Sequence, residues 1–281
     1  MINFPCAKIN LGLNIIERRP DGYHNLQTVF FPIPIKDALE IHKMDDNFPS
    51  ATACDLKVTG NSVCCNETDN LITKAYNLLA TDYKLPRIHA HLYKYIPSEA
   101  GLGGGSSDAA FMLRLLNDFS ELHLTQSQME TYAAKLGADC AFFINASPCY
   151  AEGIGERLSP IEISENNLKG YTLVVVKPNV AVSTKEAFAH IKPKMPKTCC
   201  KEIVARPVTE WKGLLVNDFE SSVFAQYPAL ADIKERLYSL GALYAQMSGS
   251  GSSFFALFKH DLEDECISAE FSDCRNFKIH L

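Results

Sequence analysis

A glycine-rich segment constrains the fold of this chain more than any other feature. Residues 97–107 read PSEAGLGGGSS, with four glycines among eleven residues, between a predicted strand and a predicted helix. Glycine permits positive φ and lets a backbone approach a ligand closely. Successive backbone N–H groups in such a loop form an anion-binding concavity, and the N-terminus of a following helix also favours phosphate. The segment predicts an α/β chain that binds a phosphate group.

The segment differs from the two commonest phosphate-binding motifs. No Gly-Lys-Ser/Thr sequence ends it, which excludes a Walker A loop, and its glycine spacing excludes a Rossmann fingerprint. Its serines offer hydroxyls to phosphate oxygens or to magnesium, although a plain glycine turn with a serine helix cap is an alternative interpretation. The candidate phosphate-binding residues are Pro97, Ser98, Glu99, Ala100, Gly101, Leu102, Gly103, Gly104, Gly105, Ser106 and Ser107.

Length and charge narrow the class of protein. A chain of 281 residues fits one large domain or two ordinary ones, and 47% hydrophobic with 21% charged residues argues against disorder. The net charge is −6 and no basic run is present, so we expect a small-molecule partner and no nucleic acid. No apolar stretch reaches the roughly 18 residues of a membrane span, so no membrane partner is expected.

The ten cysteines predict reduced thiols in the cytoplasm. They include the adjacent pairs 64–65 and 199–200 but no CxxC spacing. The first residues, MINFPCAKINLGLNI, lack the basic head and long apolar stretch of a signal peptide. Disulfides are rare without secretion. No His/Cys/Asp cluster has the spacing of metal ligands, so a fixed zinc site is not expected.

The hydrophobic pattern predicts strands and turns in the N-terminal third and a mixture of helices and strands after it. Strands are predicted at 9–15, 28–31, 39–42, 55–58, 88–93, 149–151, 171–177, 242–247 and 254–258, and helices at 70–83, 106–119, 127–136, 217–224 and 229–240. The polar stretch 163–170 is the best linker candidate, so we expect domains at 1–158 and 159–281. Residues 192–201 predict an exposed loop.

Two charged residues are candidates for chemistry. Asp139 follows a predicted helix end in the apolar sequence GADCAFF, which would hold a carboxylate firmly. An aspartate after glycine is also a common turn or cap residue, so the pattern leaves both interpretations open. Lys8 lies in a mostly apolar run, where a buried lysine needs a carboxylate or phosphate partner. Its alternative is a charge on an edge strand that faces water.

Three ordered segments resemble one family. AKINL at 7–11, the glycine segment 97–107 and MSGSG at 247–251 are similar to the three motifs of the GHMP kinases, which include galactokinase, homoserine kinase, mevalonate kinase and phosphomevalonate kinase. The resemblance implies a kinase that uses ATP with magnesium. It also implies a two-domain α/β (α+β) fold, with an N-terminal ribosomal-S5-like domain, a C-terminal ferredoxin-like sandwich and the active site in the cleft.

Further segments narrow the resemblance within the family. RPDGYHNLQT at 19–28, LGAD at 136–139 and AEGIGE at 151–156 are similar to members that phosphorylate the 2-hydroxyl of a methylerythritol carrying cytidine diphosphate. That reaction belongs to the non-mevalonate route to isoprenoid precursors. The chain departs from the expected pattern at Cys140, Ala141 and Phe142, where a proline soon after Gly-Ala-Asp is expected.

The resemblance also implies roles for individual residues. Asp139 would be the general base, and Lys8 would orient it and steady the hydroxyl or the γ-phosphate. Tyr23 and His24 would recognise the cytosine ring, and Asn10 would bond the diphosphate or hold Lys8. For Tyr23 and His24, loop packing and a satisfied surface histidine are the alternatives. Magnesium would arrive with ATP and have few protein ligands.

Other functions stay open at this point. The chain can be another GHMP kinase, of the mevalonate or homoserine type, or a diphosphomevalonate decarboxylase on the same fold. A non-catalytic nucleotide-binding module is a third possibility, against which the presence of both Lys8 and Asp139 argues. We expect a monomer or a weak homodimer.

Overall fold

A computed structural model describes residues 1–63, 65–161 and 168–281 and separates them into two units. Unit 1 comprises Met1–Lys8, Pro32–Ser98 and Gly103–Ser147, and unit 2 comprises Ile9–Phe31, Glu99–Leu102 and Pro148–Leu281. Cys64 and most of the predicted linker lie outside the described residues. The domain boundary after residue 158 and the cleft between domains therefore stay predictions.

The described elements begin with five strands, after which helices and strands are mixed along the chain. The strands are β1 Ile2–Asn3, β2 Cys6–Arg18, β3 His24–Lys36, β4 Ala38–Lys43, β5 Cys54–Gly60, β6 Ile88–Lys94, β7 Cys149–Glu152, β8 Arg157–Pro160, β9 Thr172–Pro178, β10 Tyr244–Met247, β11 Phe254–Phe258 and β12 Cys274–His280. The helices are α1 Leu71–Ala80, α2 Gly104–Phe119, α3 Gln126–Leu136, α4 Cys140–Asn145, α5 Thr184–Ala189, α6 Cys200–Val204, α7 Phe219–Gln226, α8 Pro228–Ser239 and α9 Asp264–Glu270, with a 3₁₀ turn at Val208–Glu210.

Unit 1 is built on a sheet of order β1-β4-β6-β5. Strand β6 runs antiparallel to β4 and parallel to β5. Ile88, Ala90 and Leu92 of β6 are buried, which confirms the predicted alternation with polar neighbours. Helices α1 and α2 pack against each other, and α2 also contacts β4. Strand β6 ends at Lys94, so the glycine segment begins three residues after the end of this strand.

Unit 2 contains the predicted ferredoxin-like sandwich. From β9 onward the chain runs strand, helices, strand, strand, helix, strand, and the sheet has the antiparallel order β10-β11-β9-β12. This is the β-α-β-β-α-β arrangement of that fold. Val174 and Val176 of β9 share a buried core with Leu230, Ile233 and Leu237 of α8. The mixed α/β fold class is confirmed.

A third sheet has the order β2-β3-β7-β8. Strand β3 pairs antiparallel with β7, with Thr28 opposite Ala151 and Phe30 opposite Cys149. The described cysteines are all free thiols. No helix within the described ranges is both long and apolar enough to cross a bilayer.

The loop predicted at 192–201 is wrong at its C-terminal end. Helix α6 begins at Cys200, whose side chain is buried. The prolines and lysines before it mask the helical signal, because Pro193 and Pro196 both exclude a continuous helix up to that point.

Candidate functional site

The glycine segment 97–107 enters helix α2 through a glycine. Gly103 is the N-cap of α2 with φ 71°, and no side chain caps the first N–H groups of the helix. Ser106 and Ser107 lie inside the helix, so the alternative in which a serine caps it is wrong. Uncapped N–H groups and the positive end of the helix dipole favour an anion at this point. Pro97 and Ser98 begin the glycine segment and lie in unit 1, and the Ser98 hydroxyl donates to the carbonyl of Ser62 at 3.1 Å.

Gly103 lies against the side chain of Lys8. A Cβ at this position would be 2.8 Å from Cζ of Phe143 and 3.1 Å from Cγ of Lys8. Both distances are shorter than ordinary carbon contacts. Only glycine therefore permits the loop to lie this close to the lysine stem while it adopts positive φ.

Lys8 and Asp139 form an ion pair in unit 1. The Lys8 Nζ lies 3.5 Å from Oδ2 of Asp139, and the exposed fractions of the two side chains are 4% and 33%. The alternative of an edge-strand charge facing water is wrong for Lys8, since its side chain is buried. Burial lowers the pKa of the Lys8 ammonium, and the Asp139 carboxylate opposes that change.

The Asp139 carboxylate is available for chemistry because it does not cap its own helix. Asp139 stands at the N-cap position of α4, yet its side chain makes no cap hydrogen bond. It pairs with the buried lysine and keeps a third of its side-chain surface exposed. A carboxylate that is oriented by a lysine and open on one side can accept a proton from a bound hydroxyl.

Ser107 offers a second polar group at the start of α2. Its side chain is fully buried, and its Oγ has no hydrogen-bond partner among the residues that the structure describes. A buried hydroxyl without a hydrogen-bond partner destabilises the folded protein, and a bound ligand that contacts the hydroxyl would remove this cost. Among the described residues, no group of three or more His, Cys, Asp or Glu side chains is arranged to hold a metal ion.

The loop segment Glu99–Leu102 contacts the third glycine motif within unit 2. The Ser248 hydroxyl donates to the carbonyl of Gly101 at 2.9 Å, and the Ser253 N–H donates to the carbonyl of Ala100 at 3.1 Å. A Cβ on Gly101 would lie 1.9 Å from the carbonyl oxygen of Ser248, so no other residue fits. The segment 247–251 therefore does more than turn the chain between β10 and β11.

Asn217 shapes this third motif, although its sequence context predicted only a helix. Its Nδ2 donates to the carbonyls of Met247 and Gly249, both at 2.8 Å, and its side chain is buried. Sequence reasoning missed it because the interaction joins residues about thirty positions apart.

The residues predicted to bind substrate lie in unit 2. The buried Asn10 donates from Nδ2 to Oγ1 of Thr28 at 2.9 Å, and this hydroxyl donates to the carbonyl of Gly12 at 2.5 Å. Asn10 thus has a structural partner, and its contact with a diphosphate stays a prediction. Tyr23 follows the predicted turn, where the Gly22 N–H donates to the carbonyl of Arg19, and it is 61% exposed.

His24 stacks on an aromatic ring that sequence reasoning missed. The centroids of the His24 and Phe188 rings are 4.9 Å apart with an interplanar angle of 21°. Partial burial lowers the pKa of His24, and nearby Arg18 adds to the effect, so the imidazole is neutral at neutral pH. Tyr23, the residue before His24, is exposed, so unit 2 has three aromatic side chains at or near the start of β3 and in α5 that can meet a planar ring.

Family models match most of both halves of the chain. The model of the GHMP kinases N terminal domain matches residues 70–151, and the model of the GHMP kinases C terminal region matches residues 201–273. The first range contains the glycine loop and Asp139, and the second contains Asn217 and the third motif.

Curated relatives match over the full length. The chain is 58% identical over 281 residues to the 4-diphosphocytidyl-2-C-methyl-D-erythritol kinase of Bacteroides fragilis, which covers 100% of both chains. It is 51% identical over 274 residues to the enzyme of the same name from Parabacteroides distasonis, covering 98% of this chain and 97% of that one.

Solved structures agree with the fold. A crystal structure of 4-(cytidine 5'-diphospho)-2C-methyl-D-erythritol kinase matches with a TM-score of 0.80 and 30% identity, covering 99% of this chain and 98% of the other. Mevalonate kinase of Methanococcus jannaschii matches with a TM-score of 0.68, covering 99% and 97%. At 15% identity that second match shows the fold alone.

Proposed function

This chain belongs to the GHMP kinase family, and we propose that it transfers the γ-phosphate of ATP to the 2-hydroxyl of 4-diphosphocytidyl-2-C-methyl-D-erythritol. The products are ADP and the 2-phosphate, in the non-mevalonate route to isoprenoid precursors. The observation that carries the proposal is the Lys8–Asp139 pair at 3.5 Å, next to the glycine that opens α2. The names of the full-length relatives support the choice of acceptor.

Asp139 acts as the general base in this proposal. Its carboxylate accepts the proton of the 2-hydroxyl while that oxygen forms a bond to the γ-phosphorus. The bond from the γ-phosphorus to the bridging oxygen of ADP breaks, and ADP leaves with the electron pair. Lys8 orients the carboxylate and offsets the negative charge that develops on the transferred group. A buried lysine is suited to this, because its attraction for charge is screened less than in water.

The glycine loop binds the triphosphate through its backbone. The uncapped N–H groups at the start of α2 support a role for Gly103 to Ser107 in binding phosphate oxygens. The segment 99–102 is fixed by Ser248 and Ser253, so its backbone is held before ATP arrives. A loop that is already ordered loses little conformational entropy on binding.

One residue of this site is suited to bind magnesium. The Ser107 hydroxyl, buried and without a partner, is a hard oxygen ligand of the kind that magnesium accepts. The ion supplies charge neutralisation of the phosphate oxygens when it is bound with ATP.

The cytidine end of the substrate requires an aromatic surface. Tyr23 and the His24–Phe188 stack supply rings on which a cytosine can stack, and the neutral imidazole can donate or accept a hydrogen bond. Mevalonate and homoserine lack a flat ring and would leave this surface without a ligand. The surface therefore favours the cytidine substrate over the other acceptors of the family.

A panel of acceptors tests the proposal. Purified protein is incubated with magnesium and ATP plus 4-diphosphocytidyl-2-C-methyl-D-erythritol, mevalonate, homoserine or diphosphomevalonate, and both ADP and carbon dioxide are measured. We expect ADP with the cytidine substrate alone and no carbon dioxide. Turnover of an acceptor that lacks cytidine, without turnover of the cytidine substrate, would overturn the assignment. Carbon dioxide release with diphosphomevalonate would instead indicate a decarboxylase.

We also propose a cytoplasmic location and a monomer or weak homodimer. The free thiols at the nine described cysteines support a reducing compartment. Sedimentation at several protein concentrations tests the state of association, and a stable higher oligomer would contradict it.

A further inference from the structure

A second buried lysine lies beside the phosphate loop and has no role in the mechanism above. Lys94 is the last residue of β6, and its side chain is 3% exposed. Its Nζ contacts the carboxylate of Asp37 and donates to Oδ2 of Asp108 at 2.7 Å. The same Nζ lies 3.2 Å from the position that a Cβ on Gly104 would occupy. The ammonium group therefore lies next to Gly104, the first residue of α2.

Asp37 ties this lysine to the backbone that leads into the loop. Its Oδ1 accepts hydrogen bonds from the N–H groups of Tyr95 at 2.6 Å and Ile96 at 2.8 Å. Asp37 itself is 1% exposed, in the connection between β3 and β4. One carboxylate thus fixes the two residues that precede Pro97, and charge-assisted bonds of this kind are stronger than neutral ones.

Asp108 completes the cluster from the second turn of α2. Its Oδ2 accepts from Lys94, whereas its Oδ1 is buried and has no hydrogen-bond partner within the described part of the chain. The charged groups that face it are Lys94 from the end of β6 and Asp37 from the β3–β4 connection. Burial raises the pKa of Asp108 to about 8, Asp37 adds to the rise, and Lys94 opposes it. Lys94 therefore joins the carboxyl group of the β3–β4 connection to the carboxyl group of α2.

We propose that Asp37, Lys94 and Asp108 are positioning residues that set the affinity for ATP by fixing the end of β6 and the first turn of α2 relative to each other. The inference rests on the proposed function, since it takes the loop to bind ATP. Lys94 acts through the backbone, because its ammonium is buried between two carboxyl groups. Its place beside Gly104 means that a change in the cluster moves the N–H groups that meet the phosphates.

Two matched substitutions separate the roles of the carboxyl groups. Asp37→Asn places an amide N–H group against the Lys94 ammonium and weakens the hydrogen bonds from the N–H groups of Tyr95 and Ile96. We therefore expect ATP to bind at least tenfold more weakly. Asp108→Asn keeps the shape of the side chain and an oxygen that can accept from Lys94, so we expect ATP to bind about two- to fivefold more weakly at pH 7, a smaller loss than in Asp37→Asn. Glu270→Gln, which breaks the half-exposed Arg236–Glu270 pair, is the control for losing an ion pair elsewhere.

ATP affinity is measured by titration calorimetry, and the KM for the cytidine substrate is measured beside it. A general loss of folding would change both quantities, whereas a displaced phosphate loop weakens ATP and leaves the acceptor KM within twofold. In wild type, raising the pH from 7 to 9 removes the Asp108 proton and adds a buried negative charge. We expect the wild-type affinity to fall at least threefold relative to that of Asp108→Asn over this range, a ratio that cancels the titration of ATP itself.

The outcomes are distinct. Wild-type ATP affinity in folded Asp37→Asn would overturn the inference. If Asp37→Asn does not fold, Asp37→Glu keeps the charge and shifts it by one methylene, and we expect at least threefold weaker ATP binding. If neither folds, the pH ratio decides alone, and a constant ratio overturns the inference. Wild-type protein that binds ATP without phosphorylating the cytidine substrate would overturn the proposed function only, and protein that binds no ATP would overturn both.

Discussion

Replacing Gly103 by alanine perturbs the point at which the loop, Lys8 and α2 meet. The residue has φ 71°, and a left-handed conformation costs an alanine about 1–2 kcal/mol. The new Cβ would lie 2.8 Å from Phe143 and 3.1 Å from Lys8, and overpacking of this kind costs about 1–3 kcal/mol. We therefore expect Gly103→Ala to lower the free energy of unfolding by roughly 2–5 kcal/mol.

Urea unfolding of wild type, Gly103→Ala and Gly105→Ala measures this effect. Gly105 is the matched control, because it lies within α2 and its nearest neighbour for a new Cβ is Leu71 at 3.8 Å. An alanine there should stabilise the helix by about 0.5–1 kcal/mol. Gly103→Ala should also lower kcat, since relief of the clash moves the Lys8 stem. Equal stability of the two variants would refute the steric reasoning.

Three further predictions concern the third motif, the aromatic surface and Lys8. Asn217→Ala leaves two backbone carbonyls without their donor, so the free energy of unfolding should fall by roughly 1–3 kcal/mol, and an unchanged urea midpoint would contradict this. Phe188→Leu removes the ring that stacks on His24. At about 0.5–1.5 kcal/mol for such a pair, the KM for the cytidine substrate should rise roughly 2- to 13-fold with the KM for ATP unchanged, and equal changes in both would argue against a cytosine site. Because burial lowers the pKa of Lys8, the charged form is lost as pH rises through that lowered value, so kcat/KM should fall on the alkaline side with an apparent pKa below 10.5; a limb at or above 10.5 would contradict this.

Much of the fold follows from hydrophobic periodicity. Strand β6 and helix α2 are long enough for their buried and exposed positions to be separated by pattern alone. Helix α4 has six residues and five of them are buried, so no amphipathic period exists to reveal it. Strand β12 did carry a signal, since Phe277 and Ile279 are buried and alternate with more exposed neighbours, and the sequence reading overlooked it.

The residues of the candidate site also differ in whether the sequence alone could identify them. The glycine loop is a local signal, and Lys8 stood out as a charge in an apolar run. The pairing of Lys94 with Asp37 joins residues 57 positions apart, and both are ordinary charged residues in sequence. Asn217 and Phe188 likewise gain their places from tertiary packing. No local pattern identifies such residues, because their partners are set by how distant elements meet.

The most direct test of the central claim compares wild type with Asp139→Asn in the presence of magnesium, ATP and 4-diphosphocytidyl-2-C-methyl-D-erythritol. Formation of the 2-phosphate is followed by phosphorus NMR, and the thermal midpoint of each protein is measured beside it. A general base contributes about 100- to 10,000-fold, so kcat should fall by that factor at a similar thermal midpoint. Wild-type turnover in folded Asp139→Asn would contradict the role of Asp139 as the base.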